Sequence, residues 1–207
     1  MLFSNEKISA LKLSIKNEMS EYRYLHTLGV LKAAQELGEL YMPDAIDELS
    51  VAALLHDITK ELTVDEHIAL MRAHGVAVTD NDIASPQLLH AKTAELAARD
   101  RYAELLTDRI SQSLRYHTTG NAEMTIFDAI IYVADYIEEG RTVELCVRLR
   151  DYFWSAEPQK IDAREREIHL WKTVLFSLDM TIESIKGRGK IVDEATLLAR
   201  EAVANRL

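Results

Sequence analysis

From Tyr22 to Tyr41 apolar side chains return at Leu25, Leu28, Leu31, Leu37 and Tyr41. Those intervals follow a 3.6-residue repeat and predict an amphipathic helix with that stripe packed in a core. Pro43 breaks the pattern and opens a second helix, whose Val51, Ala52, Leu54 and Leu55 lead into the adjacent pair His56-Asp57. Thr63 with Glu66 reads as a capping box for a helix that ends near Gly75. Ser85-Pro86 predicts an N-cap followed by proline at the first helical position, with His90 in the early turns of that helix. Thr107 opens the next helix, which ends near His117 and the turn Thr118-Thr119-Gly120, and Thr125 with Asp128 caps the helix that carries Asp135. Two further helices, Thr142 to Trp154 and Asp162 to Lys186, precede the turn Gly187-Arg188-Gly189 and a terminal helix from Asp193. Between them, Trp154–Ile161 with its Pro158 reads as a mobile loop. No pair of alternating strands emerges, so the pattern predicts an all-α protein.

Composition narrows the class. With 207 residues, 48% hydrophobic and 28% charged, the chain can fill a core as one domain over 1–207. In that reading 1–19 form a peripheral N-terminal helix, and about 142–207 supply C-terminal helices that complete the bundle. Seven glycines and three prolines leave little room for linkers. A net charge of −10 argues against a nucleic-acid surface, which needs a basic patch. The lone Cys146 fits a reducing compartment. The first twenty residues break their apolar positions with charges, and the longest apolar runs, Val51–Leu55 and Ala129–Ala134, are too short to cross a bilayer. A soluble, cytoplasmic protein with no membrane partner is expected.

Candidate chemistry lies in an ordered series of His26, His56-Asp57, His90, His117 and Asp135, each beside an apolar helical pattern. Any one of these histidines alone is better explained as a surface or core residue than as a ligand. His67, His74 and His169 fall outside the series and read as ordinary surface or interface residues. Together, imidazoles and carboxylates from five segments point to a metal centre in a helical bundle. Adjacent helix positions diverge by about 100°, so His56 and Asp57 can meet one ion only at a helix end. His26, His56, Asp57 and Asp135 are the predicted metal ligands. This mixed nitrogen and oxygen set suits iron, manganese, zinc or another borderline divalent ion.

His26, His56-Asp57 and Asp135 match the H…HD…D pattern of the HD-domain phosphohydrolases. The flanking words Tyr24-Leu25-His26-Thr27-Leu28-Gly29-Val30, Leu54-Leu55-His56-Asp57-Ile58-Thr59-Lys60, Leu88-Leu89-His90 and Tyr116-His117-Thr118-Thr119-Gly120 narrow the match. With Ile131-Tyr132-Val133-Ala134-Asp135-Tyr136-Ile137-Glu138, they resemble the YqeK branch, the bacterial symmetrical diadenosine tetraphosphatases. The resemblance runs from about Tyr22 to the C-terminus, including Thr181-Ile182-Glu183 and Gly187-Arg188-Gly189-Lys190. Glu139 stands where the branch usually has proline, Thr59 where alanine or glycine is common, and Val143–Gln159 fits poorly.

The resemblance implies an HD-domain helical bundle that cuts a dinucleoside tetraphosphate at its centre to two ADP, using one or two iron ions. Asp57, Lys60, His90 and His117 then carry catalysis, and Lys60, His90, His117, Thr118, Arg141 and Arg188 contact substrate. His90 and His117 could hold a second metal or touch phosphate. The sequence is compatible with a homodimer without locating its surface. Two other functions compete: an HD phosphohydrolase acting on nucleoside mono- or triphosphates or cyclic dinucleotides, and a non-catalytic metal- or nucleotide-binding sensor.

Overall fold

A computed structural model describes residues 2–207. Among these residues there are eleven α-helices and no strand: α1 (Asn5–Lys16), α2 (Glu21–Tyr41), α3 (Ile46–Leu55), α4 (Val64–Ala73), α5 (Asp80–Ala84), α6 (Leu89–Arg101), α7 (Asp108–Tyr116), α8 (Ile126–Ile137), α9 (Glu144–Ser155), α10 (Ala163–Gly187) and α11 (Glu194–Ala204). The all-α expectation is met. No helix is long and apolar enough to cross a membrane, among the described residues.

Helix α3 is the axis of the arrangement. Every residue from Asp47 to Leu55 is buried, and the helix packs against α1, α2, α7 and α8. Helix α8 is buried from Phe127 to Asp135 and packs against α2, α3, α7, α9 and α10. Helices that are apolar on nearly all sides belong in the middle of a bundle. One hydrophobic cluster runs from Phe3 through these two helices to Val203 in α11. Because the His56-Asp57 pair ends α3 and Asp135 lies on α8, the two most buried helices deliver three of the candidate ligands.

Local sequence fixes most helix starts. Thr63 and Glu66 form a reciprocal capping box on α4, and Thr125 and Asp128 form another on α8. Thr107, Asp162 and Asp193 cap α7, α10 and α11 with side-chain oxygens. Gly75 takes a left-handed φ of 67° just past α4, a geometry that glycine adopts without a Cβ penalty. Thr125→Ala is expected to cost about 1 kcal/mol, the usual worth of such a cap. That corresponds to a melting-midpoint fall of roughly 2–4 °C in a chain of this size, read by thermal denaturation.

The structure corrects the sequence reading at four places. Leu25 is 60% exposed and faces outward beside Tyr22, while the buried stripe of α2 runs through Val30, Leu31, Ala34 and Leu37. Ser85 makes no side-chain cap: Pro86–Leu88 is a 3₁₀ turn, and His90 is the second residue of the α-helix that follows. The short helix α5, boxed by Thr79 and Asp82, is an element that apolar periodicity over so few residues does not reveal. His67 and His169 are buried. The His67 Nδ1 lies 2.7 Å from the Thr93 hydroxyl, and the His169 Nε2 donates to the Phe153 carbonyl at 2.9 Å. Both are core histidines with one ring nitrogen paired inside the protein. His74, by contrast, meets Asp100 at 2.9 Å on a more open face.

Candidate metal centre

The predicted ligands converge from five segments. His26 sits in the second turn of α2, His56 is the last-turn cap of α3, and Asp57 follows in the turn. His90 is in the first turn of α6, His117 caps the end of α7, and Asp135 lies on α8. A helix end is what lets adjacent His56 and Asp57 point into one cleft, and Lys60 N–H donating to the Asp57 carbonyl at 3.0 Å closes that turn.

All four imidazoles are oriented alike. The Nδ1 atoms of His56, His90 and His117 donate to the carbonyls of Ala53, Gln87 and Leu114 at 2.7, 2.8 and 2.8 Å. Each acceptor is three residues upstream, and a carbonyl can only accept, so Nδ1 bears the proton and Nε2 carries the lone pair. The His26 Nδ1 instead meets the Glu138 carboxylate at 3.1 Å. Four Nε2 lone pairs therefore face a shared centre, the disposition that metal-ligating histidines require.

The donors form two triads: His26, His56 and Asp135, and Asp57, His90 and His117. Within each, one atom per residue lies within 4.8 Å of the others. Asp57 stands between them. Its Oδ2 is 3.4 Å from His56 Nε2 and 3.7 Å from His26 Nε2, and its Oδ1 is 3.3 Å from His90 Nε2 and 3.7 Å from His117 Nε2. His56 Nε2 and Asp57 Oδ1 are buried without a hydrogen-bond partner. Buried polar atoms are normally paired, so two orphans, one in each triad, fit divalent cations. The residues present therefore suit the ions that a mixed His and Asp set binds.

Electrostatics favour the ligating forms of Asp57, Asp135 and His90. Burial alone would raise the Asp57 carboxyl, but the His56 and His117 imidazoles and the Lys60 ammonium hold it well below the usual carboxylate range. At Asp135 burial is likewise outweighed, here by the Arg141 guanidinium and His26. Burial, with His117 and Lys60 adding to it, pushes His90 well below the ordinary imidazole value and keeps it neutral. Burial also pulls His26 down, yet the Asp135 and Glu138 carboxylates outweigh it and raise the ring above the ordinary imidazole value.

Three cations surround the carboxylates. Arg23 Nη1 donates to Asp57 Oδ2 at 2.5 Å, and Lys60 Nζ lies 2.8 Å from His90 Nε2 and 3.8 Å from Asp57 Oδ1. Arg141 pairs with Asp135 and reaches to 3.5 Å from His26 Nε2. Thr118 has a buried hydroxyl without a partner. Thr59 donates to the His90 carbonyl at 3.0 Å and so fixes the first turn of α6 against the His56-Asp57 turn. Arg188 is not drawn in: it is exposed at the end of α10, where its Nε donates to the Ser184 carbonyl.

Arg23 and Glu138 are site residues that the sequence reading did not assign. Each stands three positions from a predicted ligand on the same helical stretch, Arg23 before His26 and Glu138 after Asp135. That spacing places a charge on the ligand's own face and is the signal that could have found them.

Residues 23–140 match the family model described as HD domain. The chain belongs to the HD-domain family. Its curated relatives include symmetrical bis(5'-nucleosyl)-tetraphosphatases from Bacillus subtilis and Staphylococcus aureus. The first is 34% identical over 61% of this chain and 67% of its own length. The second is 29% identical over 84% of this chain and 87% of its own. A solved structure from Clostridium acetobutylicum, described as a predicted HD superfamily hydrolase involved in NAD metabolism, superposes with a TM-score of 0.81 at 28% identity. That match covers 99% of both chains. The HD-domain bundle expected from the sequence is therefore present, and family membership carries divalent-metal hydrolase chemistry with it.

Proposed function

We propose that this HD-domain protein hydrolyses diadenosine tetraphosphate symmetrically, giving two ADP. The observation that carries the reading is the pair of triads divided by Asp57, in a chain whose curated relatives bear that activity in their names. His26, His56 and Asp135 would hold one divalent ion, His90 and His117 a second, and Asp57 would serve both. The donor set and the YqeK resemblance favour iron. When bound, such ions acidify a water and polarise a phosphoryl oxygen.

The chain's own residues do the rest. Phosphoryl transfer asks for positioning and charge neutralisation more than for covalent catalysis. Arg23, Lys60 and Arg141, now occupied with Asp57, His90 and Asp135, are the cations that can turn to the phosphate chain, and the Thr118 hydroxyl can donate to it. The four Nδ1 hydrogen bonds hold the imidazoles still while charge develops. Arg188 has no part in this proposal, since nothing joins it to the cluster.

His117→Ala is expected to lose one ion, keep the other, and fall in turnover by roughly 10²- to 10³-fold, the scale of losing one preorganised electrostatic group. Metal analysis beside steady-state rates reads both. Loss of all metal would contradict the two-triad assignment. A substrate panel tests the reading against its rivals: diadenosine tetraphosphate, nucleoside mono- and triphosphates, a cyclic dinucleotide and NAD, each with and without chelator. NAD is included because it too joins two nucleosides through a pyrophosphate, and the Clostridium structure's description names its metabolism. Preference for the tetraphosphate, lost on chelation, is expected. Preference for any other member would overturn the substrate, and bound metal without turnover on any would favour a sensor.

A further inference from the structure

Three of the four imidazoles hold their Nδ1 proton against a neutral backbone carbonyl, and only His26 holds it against a carboxylate, that of Glu138. This carboxylate is buried, and two glycines are shaped around it. A Cβ added at Gly29 would lie 2.3 Å from Glu138 Oε2 and 3.0 Å from its Cδ. At Gly140 it would lie 2.9 Å from Oε2 and 3.2 Å from Oε1. Neither glycine has a positive φ, so neither is required by the backbone. Gly29 lies inside α2, where glycine is less favourable than alanine. The Glu138 side chain is what both positions make room for.

Both the carboxylate and the turn that carries it are held in place. Gly140 N–H donates to Glu138 Oε2 at 2.6 Å, and Arg150 Nη1 donates to the Glu138 carbonyl at 2.8 Å and the Arg141 carbonyl at 3.2 Å. The chain then returns Arg141 to Asp135, with Arg141 Nε donating to the Asp135 carbonyl at 3.0 Å. Glu138 thus ties His26 on α2 to the end of α8, and two of the three members of the first triad, His26 and Asp135, are set by this one turn.

Resting on the two-ion reading above, we infer that Glu138 is a positioning residue that makes the His26, His56 and Asp135 triad the tighter of the two metal sites, with Gly29 its built-in clearance. A carboxylate behind a ligating imidazole fixes the ring and increases the electron density at the opposite nitrogen, and removing such a partner typically weakens metal binding by about 10- to 100-fold. The second triad has only carbonyls behind its histidines and should empty first as free metal falls.

The test is anaerobic metal titration, with ferrous iron or manganese as the probe, of the full chain and of Glu138→Gln, Glu138→Ala, Gly29→Ala and the double variant Gly29→Ala/Glu138→Ala. Apo-protein melting midpoints monitor the fold. The parent should take two ions in two resolved steps. Glu138→Gln should weaken the tighter step by about 10- to 100-fold, leave the weaker step in place, and keep an apo melting midpoint near the parent's. Gly29→Ala should weaken the same step although no charge is removed, because its Cβ displaces Glu138. In the double variant the two losses should not add, since once the carboxylate is gone the Cβ has nothing to displace. Unchanged binding in Glu138→Gln, equal weakening of both steps, or additive losses would overturn the inference while leaving the two-ion reading standing. A parent that takes fewer than two ions would overturn that reading and this inference with it.

Discussion

Asp57→Ala is expected to abolish metal retention and turnover together while leaving the helical fold in place. Asp57 spans the two triads: one carboxylate oxygen faces His26 and His56, the other faces His90 and His117. Deleting it removes a shared ligand and leaves four imidazoles with Asp135 as the remaining carboxylate of the two triads. It also strips Arg23 and Lys60 of the charge they face, so the cleft becomes net positive and repels a dication. Asp57→Asn should behave similarly, because a neutral amide offers one weak acceptor where the carboxylate offers two strong ones. Metal analysis, circular dichroism and turnover on one preparation read the three outcomes. A folded variant with the parent's metal content and rate would remove Asp57 from the centre of the account.

Leu55→Ala is the substitution expected to cost most in stability. Leu55 is fully buried at the last position of α3, the helix whose end presents His56 and Asp57. Truncating a buried leucine costs about 2–5 kcal/mol through lost transfer energy and the cavity left behind. For a chain of this length that corresponds to a fall in melting midpoint of roughly 4–20 °C. Against a typical total of about 5–15 kcal/mol, such a loss is a large fraction. The apo protein should show it in full. Loaded protein should melt higher, because ions that bind only the folded state add stability by mass action. A shift of less than about 1 °C in the apo form would mean that Leu55 does not pack as described.

These two substitutions mark the ends of what the sequence made readable. Helix positions were legible where a capping oxygen stands three residues from its partner, as at Thr63, Thr107 and Thr125, because that hydrogen bond is local. The burial of α3 was legible from its unbroken apolar run into His56. The stripe of α2 was read one face too wide: Leu25 fits the period, yet it lies on the outward side of the first turns, next to Tyr22. Periodicity gives the interval and not the angle at which a helix meets its neighbours. Ligand types were legible as a series, but their division into two triads was not, since it depends on where five helix ends converge. Arg23 and Glu138 escaped because each acts on a residue of another segment, Asp57 and His26 respectively, across 34 and 112 positions. Arg188, singled out by a family word, lies on the surface at the end of α10, apart from the cluster. His67 and His169 read as surface or interface residues because composition alone does not show that Thr93 and the Phe153 carbonyl wait inside to pair with them.

The central claim is symmetrical, metal-dependent cleavage at the cleft divided by Asp57. Its most direct test is chromatographic analysis of the first products from diadenosine tetraphosphate, using the full chain reconstituted anaerobically with ferrous iron. The account predicts ADP as the sole initial product, absent when chelator is added. ATP and AMP in equal amounts would contradict it, because the bond cut would then lie away from the centre of the phosphate chain.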